Sequence, residues 1–364
     1  MGKYLKKFST DSDRIEYEGS ENYLEPYVSY VDGDNSVHYN KPNETRLIAT
    51  YNVEDASNPT LLYAYYAEEG EEEYWTKGVD MFSKVEIDGT EVAVADLDTA
   101  QGQYQLSAGE HTVKYTLIDP TFIGTEMNES HAITRLGAVL SQCSNIISVE
   151  IPNSVTSIGQ YAFYECGGLT SVTIPDSVTS IGESAFENCS GLTSVTIPNS
   201  VTSISIRAFG GCSGLTSVTI PNSVTTIGGA AFIGCSGLTS FIIPNSVTSI
   251  GFEAFWNCTA LTSVTIGNSV TSIGDGAFCN CSGLTSVTIP NSVISIGNEA
   301  FYNCKNLNSI VCDAITAPNI SSETFYGVKT GGALTVPIGS TGYDVWMRTS
   351  NYYLGLYSWT KVEQ

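Results

Sequence analysis

Leu169-Thr170-Ser171-Val172-Thr173-Ile174-Pro175-Asp176-Ser177-Val178-Thr179-Ser180-Ile181-Gly182-Glu183-Ser184-Ala185-Phe186-Glu187-Asn188-Cys189 is a segment that returns, little changed, every 23 residues along the chain. Its leucine recurs at Leu192, Leu215, Leu238, Leu261 and Leu284. Its closing Ala-Phe-x-x-Cys produces a phenylalanine column, Phe163, Phe186, Phe209, Phe232, Phe255, Phe278 and Phe301. A cysteine column runs beside it, from Cys143 through Cys166, Cys189, Cys212, Cys235, Cys258 and Cys281 to Cys304. Self-similarity at a fixed period of this size marks a solenoid, because one unit cannot bury its apolar side chains alone and stacked units can.

Within a unit, Val172 and Ile174 alternate with Ser171 and Thr173, the period of a strand with one buried face. Pro175 ends that strand by withholding a backbone donor. Val178 and Ile181 are expected to turn inward, Gly182 to permit a bend, and Ala185-Phe186 to form a short helical turn that plugs the core. Successive coils should lie roughly 4.8 Å apart, the spacing of neighbouring strands.

The pattern Leu-x-x-Val-x-Ile-Pro followed by Ile-Gly-x-x-Ala-Phe-x-x-Cys resembles the BspA-like leucine-rich repeats. That resemblance implies a right-handed solenoid of the kind found on surface and secreted proteins of host-associated microbes, acting in adhesion or protein binding and carrying no catalytic residues. The fold class is therefore expected to be mainly β, a leucine-rich-repeat solenoid over 121–342 preceded by a small antiparallel β-sandwich. Both solenoid ends depart from the pattern: Val139-Leu140-Ser141-Gln142-Cys143 is a degenerate closing motif, and the unit from Leu307 to Leu334 is stretched to 27 residues. The aromatics of 343–364 are expected to form a C-terminal cap.

Residues 43–120 lack the repeat. Short alternating runs such as Arg46–Tyr51, Leu61–Tyr66, Lys84–Ile87 and Gly109–Leu117, with the Asp88-Gly89 hairpin signal, suggest an immunoglobulin-like β-sandwich. Such sandwiches commonly precede BspA-like repeats, which the resemblance implies and the spacing does not. Residues 1–42 are expected to be an attachment segment. Their ending, Val28 to Asn40, resembles an N-terminal segment of virion and prophage-encoded proteins of gut anaerobes, and a homo-oligomer formed through this region is a further expectation.

The formal charge is −23, from 15 basic and 38 acidic residues, and between Ser144 and Asn303 the only basic residue is Arg207. Nucleic acid and anionic membrane surfaces need Lys and Arg, so both are excluded as partners. No apolar run is long enough for membrane insertion, and the start of the chain lacks the apolar stretch of a signal peptide.

Eight cysteines at strict spacing invite a metal ladder or a disulfide chain. Stacked coils would hold their side chains parallel, poor disulfide geometry, and no CxxC pair or nearby histidine offers zinc ligands. They are expected to be buried and reduced, with Cys279 and Cys312, outside the column, as the only candidates for reactive thiols. His38, His111 and His131 lie near no nucleophile constellation. The acidic run Glu68–Glu73 lacks the ligand spacing of a calcium loop. No catalytic residue, metal site or cofactor is expected, and the chain does not read as an enzyme.

The outward strand positions repeat Ser and Thr almost uniformly, and a uniform surface specifies little. Variation instead clusters beside the phenylalanine column. Tyr161, Tyr164, Arg207, Phe252, Trp256 and Tyr302 are the candidate binding residues, with neutral drift at solvent-tolerant positions as the alternative origin of their variety. The leading expectation is a binding or adhesion protein, extracellular or on the cell surface, recognising a protein or glycan on a host or bacterial surface. The alternative is a fibre or decoration protein of a bacteriophage virion.

Overall fold

The computed structural model describes residues 46–54, 56–62, 82–99, 103–117 and 140–364, with short strands at Ser29–Val31, Val37–Tyr39, Phe122–Ile123, Glu126–Met127 and Ile133–Arg135. The chain divides into two compact units, 1–45 and 46–364. In the first, β1 (Ser29–Val31) pairs antiparallel with β2 (Val37–Tyr39). The rest of the attachment segment, the Glu68–Glu73 run and His131 lie outside the described residues.

In the second unit the repeats stack as coils, numbered here 1 to 8 by Phe163, Phe186, Phe209, Phe232, Phe255, Phe278, Phe301 and Phe325. Three ladders run along the stack, the first interrupted between Ser171–Thr173 and Ser194–Thr196 and between Ser217–Thr219 and Ser240–Ile242, the second between Ser180-Ile181 and Ser203-Ile204. In the first, the Ser-Val-Thr strands pair in parallel at identical positions, Ser194 opposite Ser217, and Ser240 opposite Ser263 and then Ser286. Their central valines, and Phe241 in coil 5, face inward as the alternation predicts, while Ile242 takes an outward threonine position and is 68% exposed. The second ladder, the dipeptides Ser203-Ile204, Thr226-Ile227, Ser249-Ile250, Ser272-Ile273 and Ser295-Ile296, is also parallel. Sequence reading turned these isoleucines inward without predicting a strand.

The third ladder runs along the phenylalanines. Phe163 N–H donates to Ala185 O (2.8 Å), Phe186 to Ala208 (2.9 Å), and Phe209 to Ala231 (2.9 Å). The expected helical turn is absent here. Tyr161 and Glu165, bracketing the Ala-Phe pair, take φ of 55° and 58°, and their equivalents in coils 2 to 7 do the same. A left-handed residue at each end breaks any helix, and the N–H groups of Tyr161, Phe163 and Glu165 donate to the next coil while that of Tyr164 closes on Tyr161 O within its own turn. The left-handed position before each cysteine explains why it is so often Asn or Gly, as at Asn188, Gly211, Gly234 and Asn257. Gly182 does not bend the chain either. A Cβ there would lie 2.6 Å from the Gln160 backbone, so glycine lets the coils approach closely, and where coil 3 carries Ser205 instead its hydroxyl donates to Ile181 O.

Hydroxyls and thiols tighten the same contacts. Thr170 Oγ1 donates to Ile147 O (2.9 Å), Ser177 Oγ to Val155 O (2.7 Å) and Thr179 Oγ1 to Thr156 O (3.1 Å), each one coil back. Every column cysteine from Cys166 to Cys304 donates its thiol across a coil boundary: Cys189 Sγ to Phe163 O and Cys212 Sγ to Phe186 O, both at 3.1 Å. The Phe163 carbonyl also accepts from Cys166 N–H (3.2 Å), so one oxygen ties two coils together. Cysteine suits this position because it is small, tolerates burial and still carries a donor.

All ten cysteines are free and buried. This corrects the expectation that Cys279 and Cys312 are the reactive thiols. Cys312 pairs opposite Ile289 and fills the core position of that isoleucine. Cys279 follows Phe278, one coil from Trp256 and one from Tyr302, and is 2% exposed.

Inside the ladders the phenylalanine rings form one continuous pile, with neighbouring centroids 5.0–5.7 Å apart and planes within 11° of parallel. Trp346 ends it, 5.3 Å from Phe325. Tyr343 and Trp359 are buried beside it, and Thr360–Glu363 pairs in parallel with Ala333–Val336 as the last strand of the sheet.

The front is closed differently. β3 (Arg46–Val53), β4 (Thr60–Leu61), β5 (Phe82–Ile87), β6 (Thr90–Val92), the short helix α1 (Val94–Thr99), β7 (Gln103–Tyr104) and β8 (Gly109–Leu117) follow in order. β3, β8, β5 and β6 form an antiparallel sheet, and β4 pairs with β7. This sheet continues into the solenoid, because β3 also pairs antiparallel with Ile146–Glu150, the first strand of coil 1. The Tyr51 and Tyr115 hydroxyls meet at 2.7 Å in the core beneath it, and each reaches the Leu62 carbonyl.

Phe232 lies in the middle of the pile with no exposed surface. Phe232→Ala is expected to destabilise by about 3–5 kcal/mol, the range for truncating a buried phenylalanine. Calorimetry of both proteins checks this, and an unchanged melting temperature would contradict a core role for the column.

Candidate functional site

Between the two left-handed positions of coils 1 to 7 the chain turns sharply, and the residue after the phenylalanine reaches the surface except at Gly210 and Cys279. Stacking therefore sets the variable residues in rows along one flank. Tyr161 and Tyr164 of coil 1 meet edge to face at 5.7 Å. Arg207, in the Tyr161 row two coils on, places Nη1 3.1 Å from Glu187 Oε1 of coil 2. Burial first, then the Glu183 and Glu187 charges, raise the Tyr161 pKa, while the Arg207 charge opposes them. These two tyrosines and the Arg207–Glu187 pair form one group.

In coil 5, Phe252 is 51% exposed and its ring covers Gly229 of coil 4, where a Cβ would clash at 2.3 Å. Trp256 leans toward Gly276 of coil 6. Tyr302 of coil 7 stacks on Tyr326 of coil 8, centroids 4.6 Å apart and planes within 13°, and Tyr352 meets Tyr326 edge-on at 4.7 Å. The six candidate residues thus share a flank without converging. Six coil steps separate Tyr161 from Tyr302, roughly 29 Å at strand spacing. They form a ridge suited to a macromolecule rather than a pocket for a small ligand.

Sequence reading missed Tyr326 and Tyr352. Phe325-Tyr326 repeats Phe301-Tyr302, yet the phenylalanines stand 24 residues apart there, so the strict period passed over it. A cleft of about 590 Å³ was equally hidden. It lies where the front sheet meets coil 1, lined by Asn52, Glu54, Asn58, Ser144, Asn145 and Ile147 among others.

The described residues hold no group of three His, Cys, Asp or Glu side chains placed to bind a metal. His111, expected to stand away from any nucleophile, has Nδ1 2.7 Å from Asp88 Oδ2 and Nε2 3.3 Å from Ser107 Oγ. The order of groups resembles a hydrolytic triad, but Nε2 also lies 2.9 Å from the Ser107 carbonyl oxygen, which can only accept. Both ring nitrogens thus face oxygen acceptors, an arrangement that favours the protonated ring and orients Nε2 as a donor toward the Ser107 carbonyl rather than as a base toward its hydroxyl. The arrangement is an ion pair pinning the Asp88-Gly89 turn to the start of β8, with Thr112 N–H also donating to Asp88 Oδ1 at 2.9 Å.

The Asp88 hydrogen bond raises the His111 pKa, and the His111 and Thr112 hydrogen bonds lower that of Asp88. A raised histidine value contributes stability that is fully present below the unfolded pKa, near 6.5, and lost as pH rises through the folded value. A lowered carboxylate value contributes above about 3.9 and is lost as pH falls through its folded value. The pair therefore acts most strongly between about pH 4 and 6.5. In Asp88→Asn the NMR titration midpoint of His111 is expected to fall toward that of a free histidine, and an unchanged midpoint would contradict the pairing.

No curated protein matches this chain. Among solved structures, the chain is similar to a T. pallidum leucine-rich-repeat protein at 31% identity, covering 51% of this chain and 88% of that one, TM-score 0.42. It is similar to a leucine-rich-repeat protein from Eubacterium ventriosum at 24% identity, 60% and 64% coverage, TM-score 0.37. A leucine-rich cell surface protein from Faecalibacterium prausnitzii is 27% identical, with 68% and 88% coverage and a TM-score of 0.33. The pattern described as BspA type leucine rich repeat region, in six copies, matches residues 138–262 and 248–341. More than half of the chain falls within that match, and the protein belongs to the BspA type leucine-rich-repeat family.

Proposed function

We propose that this protein is a non-enzymatic binding protein displayed at an outer surface, and that it recognises a protein or glycan of a host or bacterial surface through the flank ridge. Membership of a repeat family whose fold is generally used for binding supports the class of function. The observation that carries the site is the contrast between two faces of one solenoid. The outward strand positions repeat Ser171, Ser194, Ser217, Ser240 and Ser263 with little change, and any partner there meets many equivalent registers. The flank differs from coil to coil and displays Phe252, Trp256 and Tyr302, so it defines a single pose. Large aromatics at an interface typically contribute a few kcal/mol each.

No observation favours the virion alternative: the family match begins at residue 138. Adhesion is the use that best suits an extended ridge on a rigid stack.

The test is a screen of immobilised extracellular proteins and glycans against the whole chain, followed by variants on any partner found. Trp256→Ala with Tyr302→Ala is expected to weaken binding at least tenfold, about 1.4 kcal/mol. Ser240→Ala with Ser263→Ala is expected to leave it nearly unchanged. The reverse ranking in folded proteins would move the binding face to the strand ladder.

A further inference from the structure

Coils 5, 7 and 8 share a feature that the other coils lack. Glu253-Ala254-Phe255-Trp256, Glu299-Ala300-Phe301-Tyr302 and Glu323-Thr324-Phe325-Tyr326 each set a carboxylate three residues before an outward aromatic. In each, the aromatic N–H donates to the glutamate carbonyl, at 2.9, 2.9 and 3.1 Å, so the two side chains leave the corners of one tight turn. Coil 6 lies between the first two and has only Gly276 and Cys279 at the matching positions. Trp256 leans over Gly276 from one side. The charges of both Glu299 and Glu253 reach the Cys279 thiol. Coil 6 is thus a low step, bordered by an aromatic ring and a carboxylate on each side.

Coils 1 to 3 show how the molecule satisfies the same elements internally. Tyr161 and Tyr164 stand beside Glu187, and the guanidinium of Arg207, in the row that Glu253 and Glu299 occupy later, closes on Glu187 at 3.1 Å. Coils 5 to 7 repeat the acid-and-aromatic half of that arrangement without a basic residue in their turns, the next one in the chain being the exposed Lys305 that follows Cys304.

We propose that the step at coil 6 is a docking site for an arginine-bearing segment of a partner protein, whose guanidinium lies against Trp256 and Tyr302 between Glu253 and Glu299. This rests on the ridge being the binding face and names the chemistry of its partner. Charge complementarity selects the occupant: a second copy of a chain with net charge −23 is repelled, and an anionic segment more so. Arginine fits better than lysine, because its planar guanidinium stacks on aromatic faces while its N–H groups fork onto carboxylates.

The experiment measures binding of a short oligoarginine peptide to the whole chain by calorimetry at low salt, with oligolysine of equal length as comparison. Oligoarginine is expected to bind at least tenfold more tightly than oligolysine. Glu253→Gln with Glu299→Gln, an isosteric change, is expected to weaken it at least tenfold. Glu54→Gln with Glu110→Gln removes the same charge from the front sheet and is expected to leave binding within twofold. Equal losses in the two neutralised proteins, or equal binding of the two peptides, would mean diffuse attraction to an acidic protein and overturn the proposal. Its failure is separable from that of the ridge reading. If Trp256→Ala with Tyr302→Ala abolishes capture of a natural partner while Glu253→Gln with Glu299→Gln does not, the ridge stands and the guanidinium site falls. If neither change matters, both fall.

Discussion

Each coil's backbone must find its hydrogen-bond partners in the coil one period away, and everything else in this protein follows from that constraint. A strand two or three residues long cannot satisfy its own polar groups, and an unmet buried N–H or C=O costs about 1–3 kcal/mol. The chain meets the demand on three sides of the stack: at the Ser-Val-Thr strands and the Ser-Ile dipeptides, whose ladders are interrupted at a few coil boundaries, and along the Ala-Phe turns. The third side is the most tightly determined. There the phenylalanine carbonyl accepts a backbone N–H from its own coil and a cysteine thiol from the next. This needs a left-handed residue on each side and a small donor at the cysteine position, so the motif tolerates little change.

A stack of this kind has two problems and one opportunity. Its ends expose unpaired ladders and an open core, and the two ends are closed by different means. The front sheet lends β3 as an antiparallel partner to coil 1, while Trp346 and Trp359 with the final strand close the back. The opportunity lies on the flank. The period fixes the spacing of outward residues but not their identity, so a row of coils can present different chemistry at each step while the core stays the same. Binding specificity in this molecule is therefore expected on the turns, away from the regular sheet.

The phenylalanine and cysteine columns and the inward Val and Ile positions were legible in the sequence, because periodicity reports burial directly. What the period could not report was backbone conformation. Ala185-Phe186 reads as a helical turn on propensity, yet Ser184 and Asn188 are left-handed and turn the segment into a ladder. The cysteines were recognised as buried but not as donors, since a thiol hydrogen bond leaves no trace in spacing alone. Cys279 and Cys312 looked exceptional for falling outside the column, whereas Cys312 takes the place of a core isoleucine. Tyr161, Tyr164, Arg207, Phe252, Trp256 and Tyr302 were found by their variety; their grouping, and the stacking of Tyr302 on Tyr326, depended on the turn geometry and on a coil of irregular length.

The claim that pairing at one fixed period holds the molecule together is tested most directly by deleting whole and partial units. Removing the 23 residues Leu215–Gly237 joins Gly214 to Leu238 in register, and removing the 12 residues Leu215–Thr226 does not. The longer deletion is predicted to give a cooperatively melting protein with full protection of its ladder amides in hydrogen exchange. The shorter one is predicted to lose that protection across the neighbouring coils although it removes fewer contacts. A shorter deletion as stable as the longer one, or an unfolded longer one, would contradict the account.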